Sequence, residues 1–218
     1  MVRSMFPAVV GLLLVAGCGG TGAPVESNER FEQQADAALA RVNRISALSP
    51  TSADRIPASG TSTFRGPAGI SVTRGITSTE PDYLILGDAT VNARFGDETM
   101  KGNIANLRGI APLGGNRAVR ADVSGTVTLG ANGSSIGDNP ATTPREAPNS
   151  WTSNFRADLE IDGQQVTSSG RIGGTFVGNR VGVPADRPQM RGIVGDGVGL
   201  ATIGGGVGRM GIELAAEN

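Results

Sequence analysis

The sequence predicts an all-β protein, an antiparallel up-and-down barrel of about eight strands preceded by one short N-terminal helix. Three observations carry this. Beyond Pro57 apolar and polar residues alternate, as in Phe155, Ala157, Leu159 and Ile161 against Arg156, Asp158 and Glu160; a period of two belongs to a strand with one buried face. Glycine supplies 34 of the 218 residues without a strict three-residue period, which excludes collagen, weakens helix, and suits tight turns, bulges and barrel corners. A helical period is plain only in Asn28 to Leu48, where Phe31, Ala35, Leu39, Val42, Ile45 and Leu48 form one stripe.

The elements follow in order. Arg3 precedes an apolar stretch, Val9 to Ala16, which is shorter than the roughly 20 residues of a membrane-spanning helix. A basic start, a short apolar core and small residues read as a processed export signal over residues 1–17. Residues 18–27 are a tether of small residues, and residues 28–50 are the amphipathic helix. Asn28 can cap it, Glu29 and Glu32 lie in its first turn, Arg41 and Arg44 sit toward its other end, where positive charge suits the dipole, and Pro50 stops it. The stripe packs on the outside or across one end of the barrel; a partner-binding or membrane-lying helix is the alternative.

Residues 58–218 are a glycine-rich barrel domain. Ser59 to Arg65 is a first strand, and Pro67 to Glu80 an irregular connection. Tyr83 to Leu86 bends at Gly87-Asp88 and continues through Phe95, and Gly96-Asp97-Glu98 turns into Met100 to Leu107. Gly109 to Asn116 reads as a loop, and Val119 to Leu129 as a strand with a bulge at Gly125 before the turn signal Asn132-Gly133. Gly137 to Asn149 is an exposed loop. Trp151 to Ile161 and Val166 to Val177 form a hairpin around Asp162-Gly163. After a loop from Gly178 to Pro188, shorter strands run over Met190 to Val194, Val198 to Ile203 and Arg209 to Leu214, joined by Gly195-Asp196-Gly197 and Gly204-Gly205-Gly206. Closing such a meander removes its exposed edges. A lipid-spanning barrel would need aromatic girdles, and the chain has one Trp, one Tyr and six Phe.

The run Leu14-Val15-Ala16-Gly17-Cys18 resembles the lipobox of bacterial lipoproteins, and Cys18 is the only cysteine. The resemblance implies cleavage after Gly17 and lipid attachment at Cys18, with diacylglycerol on the sulfur and an acyl group on the amine. Several acyl chains would hold the protein firmly to a membrane. Gly19 stands where an aspartate would be the usual inner-membrane retention signal, so the resemblance favours the outer membrane, surface-exposed or periplasm-facing.

Two hairpins carry a second resemblance. Gly170-Arg171-Ile172-Gly173-Gly174-Thr175-Phe176-Val177-Gly178, and Ala89 to Gly96 followed by Thr99-Met100-Lys101-Gly102-Asn103-Ile104, are similar to strand ends in the β-barrel domain of transferrin-binding protein B-like surface lipoproteins. This implies an eight-stranded barrel and a cell-surface habit over Ser59 to Leu214. Gly178-Asn179 departs from the family's Gly-Pro, and the chain has room for one barrel and one helix rather than two lobes. Ligand-binding residues of that family lie in variable loops, so none carries over.

The chain offers little for chemistry. It has no histidine, the usual neutral-pH base and a common zinc ligand; an acylated Cys18 leaves no thiol; no Gly-x-Ser-x-Gly elbow occurs. Asp158, Glu160 and Asp162, with Asp122 across a sheet, could form a glycosidase pair or calcium site, but read better as a solvated outer face beside Arg156. Lys101, the single lysine, lies on an exposed strand face. Gly204-Gly205-Gly206-Val207-Gly208 lacks the Lys-Ser/Thr of a phosphate loop. Gly195, Gly197 and Gly199, if inward, leave space beside Phe176 or Met190 that larger neighbours fill or that forms a small cavity. The expected catalytic, metal and cofactor sites are therefore none. A formal charge of −1 gives no footprint for nucleic acid. The expectation is a non-enzymatic outer-membrane lipoprotein displaying a binding barrel for a protein or small apolar ligand. The alternatives are a periplasm-facing structural lipoprotein and a lipocalin-like carrier.

Overall fold

A computed structural model describes residues 25–114, 117–137, 149–180, 182 and 189–218. A helix, α1 (Val25–Ser46), precedes nine strands: β1 (Thr61–Arg74), β2 (Tyr83–Arg94), β3 (Thr99–Gly114), β4 (Arg117–Ala121), β5 (Val123–Ile136), β6 (Ser150–Ile161), β7 (Gln164–Asn179), β8 (Met190–Ile203) and β9 (Gly206–Glu217). The described ladders are antiparallel. Each strand of the ring pairs with its chain neighbours, β3 pairs with β5, and β1 pairs with β9. The result is a closed eight-stranded barrel with one extra strand, β4.

The extra strand follows from register. Gly109 pairs with Ala121 in β4, and Ile104 with Val127 in β5. Five steps along β3 thus face six along β4 and β5, so β4 continues the β5 ladder past a bulge. Gly125 lies in that stretch at φ 104°, as its sequence context predicts. Asn106, at φ 54°, takes up an extra residue of β3 where the β2–β3 register shifts between Leu86 and Asp88.

Inward residues fill the barrel. Trp151, Phe64, Phe155, Phe176, Met100, Met210, Ile104 and Leu159 are all at most 1% exposed and belong to one cluster. Phe176 packs against both Phe64 and Phe95, with ring centroids 6.0 and 5.7 Å away. The inward glycines of β8 make room for larger rings. A Cβ on Gly195 would lie 2.5 Å from the Trp151 ring, and one on Gly199 2.7 Å from the Phe155 ring. The space is therefore taken by Trp151 and Phe155, not left beside Phe176 or Met190.

Helix α1 lies across the outside of the barrel, with the predicted stripe as its least exposed side. Ile45 near its end is 1% exposed and clusters with Val177, Ala215, Val42, Leu48 and Val194. Arg41 donates to the Arg65 carbonyl at 2.7 Å and to Glu217 at 3.1 Å, and Arg44 also donates to Glu217. Towards its start, Gln34 accepts from Arg108 of β3. The helix thus climbs from the end of the barrel where β9 finishes to the end where β3 and β4 turn.

Five expectations are corrected. The helix begins at Val25, so Asn28 is inside it rather than capping it. The segment Pro67 to Arg74 is strand; Pro67 falls where β1 has no paired residue on β9, between Arg65↔Glu217 and Ala68↔Leu214, so its missing N–H disturbs no ladder bond there. Gly109 to Gly114 belongs to β3, held by β4. Asn132-Gly133 lies within β5 as an irregularity between Leu129 and Ser134, where Gly130 and Gly133 have positive φ. Met190 to Ile203 is one strand, since Gly195-Asp196-Gly197 stays paired on both sides.

Candidate functional surface

Cys18, the predicted lipid-attachment residue, lies outside the described residues. So do residues 138–148, 181 and 183–188, the greater part of two candidate loops. Both loops join strands at the barrel end where β9 finishes. The connection expected over Pro67 to Glu80 reduces to residues 75–82 at the opposite end.

The carboxylate row is an outer face. Asp122, Asp158, Glu160 and Asp162 are all exposed. Asp158 pairs with Thr126 and Glu160 with Ser124 across β5, so the row meets hydroxyls rather than a second acid. Asp158 accepts from Gln165, and Asp162 Oδ1 accepts from the Asp122 N–H at 2.8 Å while the Asp162 N–H donates to the Asp122 carbonyl. That exchange ties the β4–β5 break to the β6–β7 turn. Among the described residues no group of three His, Cys, Asp or Glu could hold a metal ion.

A second acidic pair was not singled out from sequence. Glu213 of β9 sits directly opposite Asp196 of β8. Burial, then the Asp196 charge, pushes the Glu213 carboxyl above the usual carboxylate value. Glu217, four residues on, behaves oppositely. Burial would raise it, but hydrogen bonds from Arg44 and Arg41 and their charges outweigh this and hold it below the usual value.

Shallow depressions lie on the outside among the described residues. One, about 260 Å³, runs between α1 and the barrel wall, with Ala37, Ala38 and Gln34 facing Pro67, Leu86 and Asp88. Another, about 430 Å³, lies at the end where β1 turns into β2. There Arg74 donates to the Tyr83 hydroxyl at 3.1 Å and to Gln164 at 2.9 Å, over the Tyr83 ring. The Ser78 hydroxyl, which also lines this depression, donates to the Glu80 backbone carbonyl at 3.2 Å.

Sequence reasoning also missed an apolar surface. Ile76, Leu113, Val119, Val198, Leu200 and Val207 are 44–69% exposed. On β8 the usual polarity is inverted: glycines point inward and Val198 and Leu200 point out. The signal was the Gly-x-Gly-x-Gly spacing itself, whose intervening residues must face solvent once the glycines face a ring. No protein family's sequence profile matches this chain, and no curated protein matches it by sequence.

Proposed function

We propose that the protein is a non-enzymatic lipoprotein of the outer membrane, anchored through Cys18, whose barrel is a scaffold for binding on its outside and at its loops. The observation that carries the binding mode is the filled interior: Trp151, Phe64, Phe155 and Phe176 occupy the space that a lipocalin-like carrier would leave for its ligand. The lipobox-like run ending at Cys18 supports the anchor. The likeness to transferrin-binding protein B-like barrels supports a surface habit. Its two phenylalanine-bearing strand ends, at Phe95 and Phe176, meet within the barrel. The ligand-facing loops on this reading are those around residues 137–149 and 178–188.

Protease treatment of intact cells, with lysed cells as control, tests the surface assignment. Digestion on intact cells supports an extracellular ligand. Digestion only after lysis moves the protein to the periplasmic side and favours a structural role in the envelope.

A further inference from the structure

We infer that the barrel rests on the lipid surface with the end formed by the β1–β2, β3–β4 and β8–β9 turns, the β8-to-β4 arc of that rim lowermost; this rests on the lipoprotein reading. The six exposed large apolar side chains among the described residues are not scattered. Ile76 lies just past β1, Leu113 and Val119 at the β3–β4 tip, and Val207 beside the β8–β9 turn, with Leu200 and Val198 below it on β8. They form an arc round one end of the barrel, from β8 through β9, β1, β2 and β3 to β4. The other end carries none of them.

The charges divide the same rim. Asp122, Glu160 and Asp162 stand on the β5–β7 side and are exposed. Arg74, Arg120 and Arg209 stand among the apolar residues. Glu80 and Asp82 share that side, where Asp82 accepts from the Arg74 backbone N–H, and the Asp196–Glu213 pair lies farther from the rim, two residues below Val198. Apolar side chains interspersed with arginine suit an interface of acyl chains and anionic headgroups, whereas the acidic side suits water.

The tether supplies the occupant. Helix α1 has 22 residues, about 33 Å, and it begins near β4, at the apolar end. Seven residue steps separate Val25 from Cys18, a reach of at most about 25 Å. A lipid on Cys18 is therefore delivered beside the apolar arc. A reach of about 25 Å cannot carry Cys18 back along the whole length of the helix, about 33 Å. In the inferred seating, the barrel end where β5 and β7 finish and β6 and β8 start faces away from the membrane.

The test expresses the full chain in a Gram-negative host and takes the mature product from the membrane into vesicles of phosphatidylethanolamine, phosphatidylglycerol and bromine-labelled lipid. Tryptophan is placed by Leu200→Trp, Val207→Trp, Thr167→Trp or Lys101→Trp, all exposed positions, with the parent, which has only the buried Trp151, as background. The added emission at 200 and 207 should fall by roughly half, as expected for side chains about 5–10 Å into the headgroup boundary. At 167, on the acidic side, and at 101, near the far end, it should persist. Equal quenching at all four positions, none at 200 and 207, or shielding of these two by a second copy without vesicles would overturn the inference. The mass of the N-terminal peptide separately reports acylation. If it is absent, the lipoprotein reading fails, and coupling the sole cysteine to a maleimide lipid still tests the seating.

Discussion

Gly195 of β8 and Trp151 of β6 occupy one place in the barrel interior: the glycine has no Cβ, and the indole lies where that Cβ would be, 2.5 Å from it. The two strands are not neighbours; β7 runs between them, pairing Gly174 with both residues. Glycine is thus used here as a volume, so that a large ring can lie across the inner wall.

Gly195→Ala should therefore destabilise the protein by about 1–3 kcal/mol, the usual cost of overpacking. Gly69→Ala, on β1 with nothing near its absent Cβ, should be neutral or stabilising by about 0.5 kcal/mol. Denaturant unfolding of the two variants checks the contrast; equal losses would contradict it.

Phe176 joins Phe64 and Phe95 inside the barrel. Phe176→Ala should cost about 3–5 kcal/mol through lost burial and the cavity left behind, read as a lower midpoint in thermal unfolding.

Glu217 holds α1 through Arg41 and Arg44. Its carboxyl titrates lower in the folded protein than in the unfolded chain. The stabilisation is therefore present above the ordinary carboxylate value of 4.5 and lost as pH falls through the lower folded value. Glu217→Gln should remove about 0.5 kcal/mol at neutral pH, a modest figure because the pair is partly solvent-screened, and should flatten the acid limb of the stability curve.

The Glu213–Asp196 pair has the opposite sign. Glu213 titrates higher when folded, so its ionisation opposes folding as pH rises through the carboxylate range. Glu213→Gln should raise stability at neutral pH by about 0.5 kcal/mol, the scale of cross-strand like-charge repulsion. The gain should vanish in acid, where the Glu213 carboxyl is protonated.

If the proposed anchor at Cys18 holds, Cys18→Ser should remove an acyl mass from the N-terminal peptide and release the protein from the membrane fraction. Unchanged fractionation and mass would remove the basis for the lipoprotein proposal.

Strands with a clean period of two, such as Trp151 to Ile161, were legible from sequence because each side chain votes for one face. The α1 stripe was legible for the corresponding reason at a period of three to four. Where prediction broke, local signals were absorbed by ladders between distant segments. Pro67 and Asn132-Gly133 read as punctuation, yet β2 and β6 pair with the chain on either side of them. Gly195-Asp196-Gly197 read as a joint because nothing nearby in sequence announces Trp151. The exposed arc was hidden for the same reason, since Val198 and Leu200 face outward only because β6 has filled the inside.

The β1–β9 seam has a consequence for biogenesis. Ile70 pairs with Ile212, so the first and last strands of the ring complete one another. Until the C-terminal strand is in place, β1 and β8 are open edges, and loop-closure entropy over nearly the whole domain opposes the final pairing. A chain that stops before Gly206 should therefore be prone to recruiting a strand from a neighbour.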